Sequence, residues 1–176
     1  MLVMVTALPI QAQEQTPRSV AENYMTAVSN GNWPRAAAQM HPQSLAVIHQ
    51  LFIDTYENSP DPAALSRLYG VKDLQAFRDL APEDFFVRFM NAVLGQDPSF
   101  NEAIQHLHFD VVDEQSLGDS QVLIHYNITL DSGGEGIGDT QISDTDTLTL
   151  RRSSQGWKIY STPDLEPLLE RAGEGQ

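Results

Sequence analysis

His106, His108 and Asp110 stand at every second position of one segment, and His125 lies in the next. If both segments are extended, these side chains share one sheet face, because side chains alternate between faces with period two. Two imidazoles on one strand and a third from its neighbour could hold zinc or a similar ion. The competing reading is a solvated polar face on which Asp110 partners His125 across the strands. Ligand count alone does not make a site, and no metal is assigned. A connecting loop in which Gln115 faces Ser120 sets Asp110 opposite His125 and His108 opposite Asn127.

A second group of candidates surrounds an expected internal pocket. Asp144 and Asp146 share the parity of Ile142, Leu148 and Leu150, so two acids fall on an otherwise apolar face. A buried carboxylate has a raised pKa and can act as a general base. The alternative is that this half of the strand overhangs the core and leaves both acids in water at a rim. His49 lies within a helical apolar stripe, where a histidine either bonds to backbone in the core or lines a pocket. His41, before Pro42, caps the end of its helix or reaches a pocket mouth. Tyr24 and Tyr56 are pocket candidates too, although aromatic residues at helical spacing generally serve the core. No residue is assigned as catalytic.

Other patterns carry less. The glycine-rich stretch 131–139 lacks the Lys-Ser/Thr ending of a phosphate loop, and a strand follows it. It partly resembles a calcium-binding nonapeptide, but Gly138 stands where Asp is needed and the unit occurs once. Asn127-Ile128-Thr129 matches a glycosylation sequon inside an expected strand.

These residues need elements to position them. Residues 106–113 and 121–130 alternate polar and apolar side chains as half-buried strands do. Residues 115–120 join them as a hairpin loop. A third strand covers about 140–152 and a fourth 157–160, with a turn at 153–156 between them. The chain before the hairpin reads as helix. Thr16-Pro17 opens a first helix, since Thr can cap free N–H groups and Pro suits the first turn. A short helix follows at 35–40. The next carries Leu45, Ile48, His49, Phe52, Ile53 and Tyr56 on one broad face. Asp61-Pro62 starts another that Gly70 stops, 71–80 holds a further turn or two, and Ala81-Pro82 opens a helix rich in phenylalanine. Thr162-Pro163 starts a terminal amphipathic helix. Helices followed by an antiparallel meander give an α+β order, a curved sheet packed on N-terminal helices.

Composition limits the partners. Asp and Glu number 24 against 10 Lys and Arg, a net charge of -14. That excess disfavours nucleic acid, whose phosphates require cations, and anionic lipid. The chain has no cysteine, so disulfides and thiolate chemistry are excluded. Residues 2–10 are apolar but too short to span a bilayer. With Ala12 and the polar tail behind them, residues 1–15 resemble the hydrophobic and cleavage regions of a secretory signal peptide. The positive leader is missing, as if the true start lay upstream of Met1. The expectation is a secreted or periplasmic protein whose residues 16–176 form one domain, with an ordinary first strand or frayed terminus as the alternative for the segment.

Ala21-Glu22-Asn23-Tyr24-Met25-Thr26-Ala27-Val28-Ser29-Asn30-Gly31-Asn32-Trp33, followed by Ala36-Ala37-Ala38-Gln39-Met40-His41-Pro42, resembles the opening of nuclear transport factor 2-like (NTF2-like) domains. That superfamily also holds ketosteroid isomerase and cyclases of the SnoaL type. Leu148-Thr149-Leu150-Arg151-Arg152 and Gly156-Trp157-Lys158-Ile159 resemble its last strand pair. The resemblance implies a cone of curved sheet and helices around an apolar pocket, with residues 61–95 as a helical insertion. It carries over no acid or base position, and fold does not fix function. The leading expectation is a domain that binds a small apolar ligand or a protein partner. A homodimer through the outer sheet face is one such partner, with Thr145, Thr147, Thr149, Arg151, His125 and Asn127 on that face. The alternative is a pocket enzyme of acid–base type (isomerase, cyclase or hydrolase) using Asp144 or Asp146 with His41 or His49. No cofactor is implied.

Overall fold

A computed structural model describes residues 15–94, 104–130, 142–163, 165–167 and 169, with the side chains at 130 and 142–144 outside that description. The signal-like segment, the glycine-rich loop and most of the terminal helix therefore lie outside the described residues.

Proline sets the helix starts. α1 (Pro17–Ser29), α3 (Pro42–Asn58), α4 (Pro62–Tyr69) and α6 (Pro82–Leu94) all begin on one. Its fixed φ suits the first turn, and the N–H it lacks would have had no helical partner. The residue ahead supplies a cap in three cases. Thr16 accepts from Ser19 N–H, His41 from Gln43 N–H and Asp61 from Ala64 N–H. Two short helices, α2 (Trp33–Gln39) and α5 (Leu74–Arg78), are capped by Asn32 and Asp73. His41 thus caps the start of α3 rather than the end of the helix before it. α4 stops at Gly70, whose φ of 64° is left-handed backbone open to glycine at little cost.

The strands are β1 (Leu107–Ser116), β2 (Gln121–Leu130), β3 (Ile142–Ser153) and β4 (Gly156–Ser161), an antiparallel sheet in the order β1-β2-β3-β4. Val122, Ile124, Tyr126, Leu148, Leu150 and Ile159 are buried, so the alternation does put one sheet face in the core. The register differs from that expected. β1 runs further toward the turn than expected, so the loop is only Leu117 to Ser120, with Gly118 at φ 92°. Asp110 pairs with Asn127 and His108 with Thr129, and a bulge at Val112 brings Asp113 opposite His125. The slip ahead of the bulge is two residues, an even number, so every side chain there keeps its expected face. A second bulge lies between Thr149 and Leu150. Bulges add bend and twist to a sheet.

The helices cover one face. α1 touches β1, β2 and β4, and α3 touches β4. Behind them α3, α4, α5 and α6 close on an aromatic cluster. His49 stacks on Phe85 at 4.7 Å, Tyr69 meets Phe77 at 4.8 Å, and Phe52 lies 5.0 Å from Phe89. Residues 61–94 thus cover the apolar face of α3 and complete the core. Burying one such ring contributes about 1.5–3 kcal/mol. The α+β architecture read from the sequence is the one the chain adopts.

Candidate functional site

Between α1 and the free edge of β1 lies an open cleft of about 580 Å³. Its two walls run antiparallel. Near the start of α1, Arg18 Nη1 donates to the carbonyl of Val111 at 3.3 Å. At the end of α1, Ser29 Oγ lies 3.1 Å from Met25 O and 3.5 Å from Leu107 O. Eleven helical residues separate Arg18 from Ser29, a rise of about 16 Å. Four strand residues separate Leu107 from Val111, about 13 Å. The two contacts therefore clasp helix and strand near both ends of the cleft.

Apolar side chains from both walls (Met25, Leu107, Phe109 and Val111) line it, and Thr26 from the helix stands beside them. Leu107, Phe109 and Val111 are only half-buried, although their parity is that of the core. α1 packs along the β1 edge of the sheet and leaves these three side chains partly open to the cleft. One mouth carries Arg18 and Glu22, 3.9 Å apart. His108 and Asp110 also reach the cleft. A cleft of this size matches small-molecule sites, which pair an apolar surface with a few polar groups. The polar rim favours an amphipathic ligand over a purely apolar one.

None of the residues singled out in the sequence as pocket candidates lines this cleft. His49 is 4% exposed, and its Nε2–H donates to Phe77 O at 3.1 Å. Burial lowers its pKa below 6.5, and the bond to Phe77 partly opposes that. Phe85 stacks on the ring and Phe77 meets it edge-on, which places it in the aromatic cluster. Tyr56 packs edge-on against Tyr69 and Phe77 and hydrogen-bonds Tyr69. Burial, then Tyr56, pushes the Tyr69 phenol far above its ordinary value. Tyr24 is half-buried on α1 against the core. Asp146 is half-exposed, and its Oδ1 accepts from the N–H of Thr147 at 2.9 Å. Asp144 pairs with Ile128 through backbone, and its side chain lies outside the described residues.

His41 sits elsewhere, at the junction of α2 and α3 beside β4. Its N–H donates to Ile159 O at 2.7 Å, and its ring lies edge-on to Tyr160 at 5.7 Å. Burial lowers its pKa, and the cations Arg151 and Lys158 lower it further.

The histidines of the hairpin do not converge. His108 and His125 stand four residues apart along the sheet, about 13 Å. His125 Nδ1 is engaged with Thr147 Oγ1 at 2.9 Å. Among the described residues no group of three His, Asp or Glu side chains could hold a metal ion. Likewise no described helix is long and apolar enough to cross a membrane.

The sequence signal for the cleft was indirect. Period-two alternation marked Leu107, Phe109 and Val111 as inward-facing, yet nothing in it told that a cleft remains between them and α1.

No family model matches the chain, and no curated protein matches it. Two solved structures are similar. One is an NTF-2 like protein of unknown function from Shewanella oneidensis MR-1, 11% identical, covering 80% of this chain and 88% of that one at a TM-score of 0.40. The other, from Xanthomonas campestris, is assigned to the calcium/calmodulin dependent protein kinase II association domains. It is 13% identical and covers 92% of this chain and 99% of its own at a TM-score of 0.37. The first carries the superfamily name that residues 21–42 and 148–159 suggest. At such scores the likeness carries no argument, and the α+β fold rests on the topology of this chain.

Proposed function

We propose that this is a non-catalytic domain that binds a small amphipathic molecule in the cleft between α1 and β1. The observation that supports it is the cleft itself, open, clasped at both ends and lined by apolar side chains beneath a polar rim. Ligand selection follows from the lining: an apolar body along Met25 and Phe109, with a polar head toward Arg18 and Glu22. The acid–base alternative finds less support, because His49 is closed in by rings and the Asp146 carboxylate is bonded to its own backbone neighbour.

Thr26 is exposed on the cleft wall, so a Trp there fills the space without disturbing the core. Thr26→Trp should weaken binding of an anilinonaphthalene sulfonate probe by about tenfold, some 1.4 kcal/mol, at unchanged melting temperature. Equal probe affinity in the two proteins would reject the cleft as the site.

We further propose export, from the composition of residues 1–15. We also propose self-association through the outer sheet face. Thr145 and Asn127 bond across that face at 2.9 Å, as do Thr147 and His125, which gives it an ordered polar surface. Sedimentation of the free protein at micromolar concentration reads the second directly: a monomer there refutes it.

A further inference from the structure

On the far side of the sheet from the cleft, the chain gathers positive charge. Three of its ten Lys and Arg residues (Arg151, Arg152 and Lys158) lie on the β3–β4 hairpin. Arg151 and Lys158 are direct cross-strand partners. Like charges placed opposite each other destabilise a strand pair. With 24 acidic residues in the chain, a carboxylate beside them would be the simple remedy. Among the described residues the ion pairs are Arg18–Glu22, Lys72–Asp73 and Arg78–Glu57, and neither Arg151 nor Lys158 takes part in one.

The two cations are held in place by other means. The Arg151 guanidinium lies 3.5 Å over the Tyr160 ring, and Lys158 Nζ donates to Ala38 O at 2.6 Å, at the end of α2. A third donor stands beside them. His41 Nδ1 accepts from Gln43 N–H at 3.2 Å, which leaves the proton of the neutral ring on Nε2. The chain of contacts from His41 to Tyr160 to Arg151 is continuous, and these three side chains and Lys158 are half-buried.

We propose that His41, Arg151 and Lys158 form a binding site for a small oxyanion of the phosphate class. Two fixed cations and one neutral N–H suit a doubly charged tetrahedral anion, which takes several charge-assisted hydrogen bonds at once. Tyr160 meets the His41 ring edge-on, and burial first, then the charges of Arg151 and Lys158, lower the His41 pKa, so an anion seated there would offset the part due to the two cations.

The probe is inorganic phosphate, added to the whole protein, with chloride at matched ionic strength as control. The His41 ring protons are followed by NMR, assigned by their loss in His41→Gln. Phosphate should shift them saturably and raise the His41 pKa beyond the rise that chloride gives. Arg151→Gln should weaken the phosphate response by about tenfold, as should Lys158→Gln. The second variant serves if the first loses its fold by circular dichroism. Acetate should act more weakly than phosphate. A phosphate response no larger than that of chloride would overturn the proposal, as would one that persists unchanged in a folded Arg151→Gln or Lys158→Gln variant.

Discussion

His49 shows how one side chain links burial to pH. Its folded pKa is depressed by burial, so folding favours the neutral ring. Above the unfolded value near 6.5 both states are neutral and the contribution is complete. As pH falls below that value the unfolded chain takes up a proton that the folded chain resists, and stability is lost until the folded pKa is passed. Relief of the -14 charge acts in the opposite direction in the same range. The measurement must therefore be a difference. His49→Phe keeps an aromatic ring there, and Phe77 O retains the N–H of Leu80 at 3.2 Å. The melting temperature of the native protein, relative to this variant, should fall between about pH 7 and about pH 5. A constant difference across that range would contradict the account. The helical stripe made a buried, backbone-bonded His49 legible in the sequence. Its acceptor was not legible, because Phe77 lies 28 residues away and arrives only through the folding of α4 and α5. Asp146 was ambiguous for a similar reason, since parity gives a face but not how far the core extends beneath it.

At the scale of elements, local chemistry settles boundaries and tertiary packing settles the rest. Pro17, Pro42, Pro62 and Pro82 announced the four longer helices, and Gly70 announced the end of one. Gly70→Ala would place a Cβ no nearer than 3.5 Å to Arg88 Nη1, so space is available. The cost is conformational, about 1–2 kcal/mol for a left-handed residue with a side chain. Urea unfolding should show that loss with the slope of the transition unchanged, and no loss would mean that the turn relaxes. Phe85→Ala removes a ring in contact with His49, Phe52, Tyr69, Phe77 and Phe89, and should cost about 3–5 kcal/mol. A loss below about 1 kcal/mol would mean that the cluster repacks. Strand register was the least legible feature. Alternation is insensitive to a slip of two residues, and the bulge at Val112 shows in the pattern only as the doublet Val111-Val112, which does not by itself fix the register.

For the molecule as a whole, charge and docking geometry decide behaviour. A chain carrying 24 acids and 10 bases repels itself, so added salt should raise its melting temperature through screening. A flat response up to about 0.5 M sodium chloride would show that the acids are too far apart to interact. The α+β order was visible because helical and strand periodicities occupy separate halves of the chain. The cleft was not, because it depends on the angle at which α1 meets β1, and that angle is set by Arg18, Ser29 and the core rather than by any repeat. The most direct measurement is backbone amide NMR of the labelled protein titrated with an amphipathic probe carrying an anionic head. Saturable shifts should concentrate at Met25, Thr26, Phe109 and Val111, with His49, Phe77 and Phe85 unmoved. Shifts centred on His49 and its rings, with residues 107–111 unaffected, would contradict the assignment of the α1–β1 cleft.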